Sequence, residues 1–343
     1  MKLLTVVVPV YNTARYLPRC LRSVLVPEAL ERLEVILVND GSTDNSVSIL
    51  LRAARRHPGT VRLIDKENGG HGSAINEGLR AATGRYLRVL DSDDWFDTPA
   101  FLRYLDALGD CGEDLIVTPY TQEYTTANQR VFVRYENLTD GKCYSLGELE
   151  LPGEMPYVPL AAATWDTALL RRCALRLSEH CSYVDMQYIL FPIPWVRRVR
   201  FIDACVYRYF IGRAEQSMAP GRFLKNLPQH EQVLRSLLDF YAARRGQSDA
   251  AARAYIERVI SLMVYTHTDI LCRRLPGRLA AFRRCRAFDA YLKRTAPAVY
   301  RQTDAFAELR LGRRLGFLPL LLGRGVLPRL LRLAHPQPQK DTL

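Results

Sequence analysis

The sequence predicts an α/β protein, a doubly wound mixed sheet with a C-terminal helical region. Three observations carry that expectation. Short β-branched runs alternate with segments of helical spacing over the first hundred residues, which is how parallel sheets with crossover helices are written. Those runs are apolar without alternation, as strands buried on both faces are. From about Phe223 onward the pattern becomes almost wholly helical to about Arg332.

The elements follow in order. "LLTVVVPVYN" reads as a first buried strand, and "ARYLPRCLRSVL" as a helix with Pro18 near its first turn, the position where proline is tolerated. "LEVILVNDGSTD" is a second strand breaking into a polar loop, and "DNSVSILLRAARRH" a helix with Asp44 or Asn45 as its N-cap. "VRLIDKENGG" gives a third strand and turn, "GSAINEGLRAAT" a third helix, and "GRYLRVLD" a fourth strand. Beyond Asp114, "DLIVTPY" reads as a strand and "YTTANQRVFVRYENL" as a hairpin; the stretch from Gly141 to Tyr157 is weakly patterned. "AAATWDTALLRRCAL" reads as helix, and "VRFIDACVYRYFIG" as one or two late strands.

With 343 residues, 48% hydrophobic and 24% charged, the chain is of globular composition and has room for a sizeable core. Its eight cysteines stand at wide, irregular spacings with no CxxC pair, which argues against a zinc module and for reduced thiols. The first strand starts within a few residues of Met1, no signal-peptide core with a basic leader precedes it, and no run of about 18 apolar residues occurs. A cytoplasmic location is therefore expected. Residues 221–343 hold 23 Lys and Arg against 9 Asp and Glu, a net +14, leaving −2 for residues 1–220. The basic character thus belongs to the last third and implies an anionic surface as its partner.

The polar residues cluster at strand ends: Asn12 after the first, Asn39 and Asp40 at the second, Glu67 and Asn68 after the third, Asp91 and Asp93 after the fourth. Ligands of open α/β sheets bind outside the carboxyl ends of the strands. "RYLRVLDSDDWFD" places Asp91, Asp93 and Asp94 within four positions at the end of an apolar strand. So much like charge is offset if two of the carboxylates meet a hard divalent cation, Mg²⁺ or Mn²⁺, whose remaining ligands are water and phosphate oxygens. A helix cap with solvated charges is the plainer alternative. Asn39-Asp40-Gly41 and Asn68-Gly69-Gly70 are likewise turn signals in their own right.

Taken together and in order, "VVVPVYN", "ILVNDGSTD" and "NGGHGSAINEGLRAATGRYLRVLDSDDW" resemble glycosyltransferase family 2, inverting enzymes of the GT-A (nucleotide-diphospho-sugar transferase) fold. The resemblance is strongest over residues 3–97 and continues more weakly to about Met218. It is to bacterial members that build capsular or other surface polysaccharide. It implies a nucleotide-sugar half at about residues 1–97, an acceptor half at about 98–220, a basic helical region at 221–335 and a loose tail at 336–343. By similarity Pro9, Tyr11 and Asn12 border the base and ribose of a UDP-sugar, Asp40 accepts hydrogen bonds from base or ribose, and Asn68 sits beside the base. Asp91 lies near the ribose and pyrophosphate, and Asp93, with Asp91, ligates Mn²⁺ or Mg²⁺. Where the family often has Ala-Arg-Asn, this chain has Ala74-Ile75-Asn76, so the arginine's contact to the nucleotide is absent; His71 is a candidate substitute.

Inverting transfer needs a base for the acceptor hydroxyl. In the family it is an acid of a later loop, a place filled by "EHCSYVDMQY", with Asp185 first and Glu179 in reserve; a helix N-cap is the alternative for Asp185. "GRAEQSM" resembles a late loop that covers the diphosphate, making Arg213, Gln216 and Ser217 substrate-binding candidates. Trp95 is a candidate wall of the sugar subsite or a core residue.

Residues 273–332 mix Arg with Leu, Phe and Gly, a composition that suits peripheral contact with a membrane interface or a bundle with a solvated arginine face. The resemblance favours the membrane reading, since many such enzymes use lipid-linked acceptors on the cytoplasmic leaflet, and implies a saccharide or lipid-linked acceptor, with the chain cytoplasmic or at the inner face of the cytoplasmic membrane. No nucleic-acid recognition motif accompanies the charge. The rival functions are a sugar-phosphate nucleotidyltransferase, for which "PVYNTARYLPR" lacks the Gly-rich basic loop, and a non-catalytic sugar-nucleotide-binding or scaffold subunit.

Overall fold

A computed structural model describes residues 2–124, 129–152, 155–212 and 224–322. The chain divides into two compact units. One comprises Met1–Ala219 with Ser248–Ala252, the other Pro220–Gln247 with Arg253–Leu343.

The first unit is built on an eight-stranded sheet. Strands β1 (Leu4–Val10), β2 (Leu33–Asp40), β3 (Val61–Lys66) and β4 (Tyr86–Val89) are all parallel, in the order β3-β2-β1-β4. Helices α1 (Leu17–Val24), α2 (Ser46–Arg56) and α3 (His71–Ala81) connect them, and α4 (Thr98–Gly109) follows β4. Every residue of β1 and β4 is buried, as their unbroken apolar runs require. Pro18 falls at the start of α1, where its missing N–H breaks no bond. Asn45 is the N-cap of α2, without a side-chain capping bond, and Asp44 before it accepts from Ser46 N at 2.9 Å.

Past β4 the sheet changes sense. β10 (Ala163–Asp166) lies antiparallel between β4 and β6 (Leu115–Val117), and β11 (Val199–Phe201) and β9 (Cys143–Tyr144) complete the sheet. This corrects the helical reading of 161–175. Ala161 and Ala162 close a single 3₁₀ turn, and Thr167–Arg172 form α5, with Asp166 accepting from Leu169 N as the N-cap. Ala163–Asp166 between them are strand because their partners decide the matter. Thr164 and Trp165 are fully enclosed between β4 and β6, and the buried Arg88 of β4 donates to Thr164 Oγ1 and Ala161 O. Tertiary pairing outweighs alanine's helix preference here.

A second sheet has the order β5-β12-β7-β8, from β5 (Trp95–Phe96), β12 (Tyr207–Ile211), β7 (Tyr120–Tyr124) and β8 (Gln129–Val133). The hairpin expected over residues 124–138 lies earlier, its first strand being Tyr120–Tyr124 and its second Gln129–Val133, and the late run splits into β11 and β12 in different sheets. Glu113 fastens the start of β6. It is enclosed by Arg198 at 2.9 Å and Arg200 at 2.7 Å, and hydrogen bonding from Arg200 pulls its carboxyl down to about 2.

In the second unit, helices α7 (Leu227–Arg244), α8 (Ala250–Arg273) and α9 (Arg278–Thr295) precede the shorter α10 (Pro297–Gln302), α11 (Ala307–Arg314) and α12 (Pro319–Leu322). Val233, Leu234, Leu237, Val259, Ile260 and Leu292 are buried in it. No helix among the described residues is long and apolar enough to cross a membrane.

Candidate active site

The ends of β1 to β4 meet at one rim, where the sequence places its polar clusters. Asn12 stands at φ 53°, a left-handed conformation that asparagine tolerates. Its Oδ1 accepts from Thr43 N at 2.8 Å and Asp44 N at 3.3 Å, tying the first loop to the second. Pro9 is buried within β1, and Tyr11 is exposed at the rim. Asn39 donates to Asp65 Oδ1 at 2.6 Å. Asp40 is buried, and its carboxylate accepts from Lys66 Nζ at 2.8 Å, Gly69 N at 2.9 Å and Gly70 N at 2.8 Å. Asn68, exposed, donates to Asp40 O at 2.9 Å. Asp40 therefore shapes the turn that leads into α3, with Gly70 at φ 85°.

The three carboxylates of the fourth strand end diverge. Asp94 turns inward and is 1% exposed; it accepts from Tyr207 OH and Phe210 N, each at 2.7 Å. Burial pushes its pKa well up, and the neighbouring Asp91 adds to the rise. Tyr207 OH also accepts from Asp91 N at 3.2 Å, so β12 is stitched to the acidic turn at two points. Asp91 stays half-buried at the rim, with Oδ1 2.8 Å from His71 Nε2. Asp93 is half-buried, and its carbonyl accepts from Arg19 at 3.1 Å. The Arg19 guanidinium lies 3.5 Å from the Trp95 ring centroid and 4.5 Å from that of Phe210, a stacked cation that holds the turn from below.

His71 opens α3. Burial works against its protonation, but Asp91, Asp185 and Asp40 outweigh it and raise its pKa. Asp185 lies on the first turn of α6 (Asp185–Leu190), open to solvent but ringed by protein. This crowding raises its pKa; His71 opposes the rise and Asp91 adds to it. Asp91, His71 and Asp185 thus act on one another electrostatically across one site.

The loop carrying Asp185 is clamped to α3. Asn76 donates to Leu177 O at 3.0 Å and accepts from Leu177 N at 2.9 Å. His180 N donates to Gly69 O at 2.5 Å, and Gln187 braces the loop through Ser178. The approach needs Gly72, where an added Cβ would lie 2.2 Å from Ser178 O. His180 and Tyr183 take positive φ of 51° and 66°, strain that such bracing sustains. Glu179 is exposed, 3.5 Å from Asn76 Nδ2 and 3.9 Å from Arg176. Arg213, Gln216 and Ser217 lie outside the described residues.

The sequence alone gave no role to Asp94, Tyr207, Arg19 or Asn76. The only signals were the third acid of the DSDD run and the Asn at the family's Ala-Arg-Asn position. As a donor set, Asp91 and Asp93 are hard carboxylates at the rim and suit Mn²⁺ or Mg²⁺ together with phosphate oxygens and water. Among the described residues no group of three or more His, Cys, Asp and Glu forms a cation cage of its own.

The chain is similar to known proteins. The sequence model described as Glycosyl transferase family 2 matches residues 5–159. A Mycoplasma pneumoniae protein named as the MG025 homolog, an uncharacterized glycosyltransferase, is 36% identical over 135 residues, 38% of this chain and 44% of its own length. Chondroitin synthase of Pasteurella multocida is 40% identical over 98 residues, 29% of this chain and 10% of that one. The chain therefore spans less than half the length of these relatives. TarS 1-349 of S. aureus, solved in complex with UDP-GlcNAc, superposes with a TM-score of 0.68 at 18% identity, over 99% of this chain and 93% of that one. Mannosyltransferase PcManGT of Pyrobaculum calidifontis, solved with GDP-Man and Mn2+, gives 0.51 at 19% identity over 92% and 87%. These likenesses show the fold, the GT-A arrangement with a helical C-terminal region.

Proposed function

We propose that this chain, a member of glycosyl transferase family 2 through its residues 5–159, transfers a sugar with inversion from a UDP-sugar to a saccharide acceptor of a cell-surface polysaccharide. The observation that carries the proposal is the joint placement of Asp91 at the end of β4 and Asp185 at the start of α6 around His71. The first fits the donor's diphosphate end, and the second fits the acceptor.

In this reading the donor's base and ribose lie along the ends of β1 to β3, bordered by Tyr11, Asn12, the Asp40 turn and Asn68. Asp93 and Asp91 would hold Mn²⁺ or Mg²⁺, which when bound supplies Lewis-acid stabilisation of the leaving diphosphate. Asp185 accepts the proton of the acceptor hydroxyl as its oxygen attacks the anomeric carbon, on the face opposite the departing nucleoside diphosphate. Its pKa, raised by burial, makes it a stronger base than an ordinary aspartate. The Asn76 clamp fixes its distance from the donor, the contribution that orientation makes to rate. Arg213, Gln216 and Ser217 are proposed to close over the diphosphate and exclude water.

A thermal-shift panel of nucleotide sugars with and without Mn²⁺ identifies the donor, since ligand binding raises apparent stability. Transfer by the wild type, abolished by Asp93→Ala and by Asp185→Asn, supports the proposal. Donor binding without transfer by the wild type would reduce the chain to a sugar-nucleotide-binding subunit.

A further inference from the structure

The second unit carries a surface that transfer chemistry does not use. Of the eight large apolar side chains exposed among the described residues, five are its leucines: Leu279, Leu315, Leu318, Leu321 and Leu322. Leu318 is 58% exposed and Leu322 73%, so these are outward-facing residues and not the margins of a core. They belong to one patch. Arg278 Nη1 donates to Leu322 O at 3.1 Å, which sets the start of α9 beside the end of α12 and brings Leu279 to the other leucines.

The backbone holds the patch open. Gly316 and Phe317, between α11 and α12, are both left-handed, at φ 56° and 59°. For phenylalanine that conformation is disfavoured. It is sustained because Phe317 N donates to Gly312 O at 2.7 Å and the Phe317 ring is buried, as is Leu320. Turning Phe317 inward leaves Leu315 and Leu318 facing out on either side of it.

Next to the leucines runs a cationic stripe. Leu279, Arg283, Arg286 and Lys293 fall at i, i+4, i+7 and i+14 of α9, one face of the helix, and all four are exposed. Arg294 and Arg314 flank it, also exposed. Elsewhere in the unit arginines meet acids, as Arg273 meets Glu308 and Arg313 meets Asp289 and Asp304. Among the described residues the stripe has no such ion pairs.

We propose that this patch seats the chain on an anionic phospholipid leaflet, with the leucines entering the headgroup boundary and the arginines and Lys293 meeting the phosphates. The alternation of apolar and cationic residues is what an interfacial surface needs, and the sequence beyond it, "GRGVLPRLLRL", repeats the same mixture. A second copy of the chain is a poorer occupant, since apposing two such faces brings cation against cation. The inference gives a physical site to the peripheral membrane contact expected from composition, and it does not depend on the transfer reaction.

The test is co-sedimentation of the full chain with vesicles of phosphatidylglycerol and, separately, of phosphatidylcholine. The expected result is binding to the anionic vesicles at least about tenfold tighter, weakening with salt. Leu318→Ser with Leu322→Ser should lower it by about tenfold or more, and Arg283→Gln, Arg286→Gln and Lys293→Gln together by about a hundredfold. Melting curves confirm that the variants fold, and the single changes Leu318→Ser and Arg286→Gln carry the test if a multiple variant does not. Equal binding to both lipids, or none to either, overturns the proposal. Binding that polyphosphate displaces and that ignores the leucines would mark a site for an anionic polymer instead. A leucine variant that turns a dimer into a monomer, without vesicle binding by the wild type, would mark a contact between copies.

Discussion

The rim of the sheet and the interior of the helical unit handle buried charge in opposite ways. In the helical unit, Glu231 is met by Arg235 at 2.8 Å, Arg284 at 2.6 Å and the buried His267 at 3.6 Å. His267 in turn stacks on His230 with ring planes 5° apart. Every charge there has its counter-charge inside the protein, and the cluster amounts to packing. At the rim the acids separate into two kinds. Asp40 and Asp94 are consumed by backbone N–H groups, a lysine and a tyrosine, whereas Asp91, half-buried and bonded to His71, and Asp185, exposed and within the electrostatic reach of the same imidazole, stay at the rim. The difference teaches that a carboxylate satisfied from within shapes the fold, whereas one held at the rim keeps oxygen atoms that the proposed function assigns to a ligand.

Substitutions can break that distinction. The largest effects on activity should come from the rim. Asp93→Ala should lower kcat/KM by about a thousandfold or more, a loss of several kcal/mol in transition-state stabilisation, with a melting temperature near that of wild type. Asp185→Asn should cost about 10²–10⁴-fold. The raised pKa of Asp185 should also move the acid limb of the wild-type rate profile above the usual aspartate range near about 3.9. An acid limb that persists in Asp185→Asn would assign the base elsewhere.

Asp40→Asn should act the other way round. Replacing a buried carboxylate that accepts from Lys66 and two amides should destabilise the first unit by about 3 kcal/mol, measured by denaturant unfolding. Loss of transfer at unchanged stability would move Asp40 into the ligand class.

The histidine pair offers a sharper contrast because its effect depends on pH. Burial lowers His230 to about 4, with His267 adding to the shift, and burial lowers His267 as well. In the unfolded chain a histidine titrates near about 6.5. Above that pH both states are neutral and stability is unaffected. Below it the unfolded chain takes up protons that the folded one refuses, so stability falls with falling pH, by on the order of 2–3 kcal/mol by about pH 4. His230→Phe should flatten that dependence. The smallest effect should be that of Glu179→Gln, within about threefold in transfer rate, because the side chain is exposed and contacts only at 3.5 Å or beyond.

What was legible in the sequence follows the same physics. β1 to β4 and α1 to α3 could be read because buried parallel strands are continuous apolar runs and their helices are amphipathic, signals confined to each segment. β10 could not. "AAATWD" has little strand character alone, and it is a strand because β4 and β6 enclose it and Arg88 bonds across to it. The acidic turn was legible as a cluster, yet not which acid turns inward, since that depends on Tyr207 and Phe210 more than a hundred residues later. The pairing of His71 with Asp91 and the double bond of Asn76 to Leu177 are equally non-local.

The Asn76 clamp has a consequence for anyone recombining these enzymes. Helix α3 grips the segment that carries Asp185, the proposed base, and the grip depends on the missing side chain of Gly72. A chimera joined between Asp97 and Thr98, pairing this donor half with another protein's acceptor half, would inherit a socket without its plug unless the graft's own segment bonds to Asn76 and passes Gly72 as closely. On the proposed function, donor and acceptor preference would then not be separable modules: they would share a hinge pin, and the two should be exchanged as a pair.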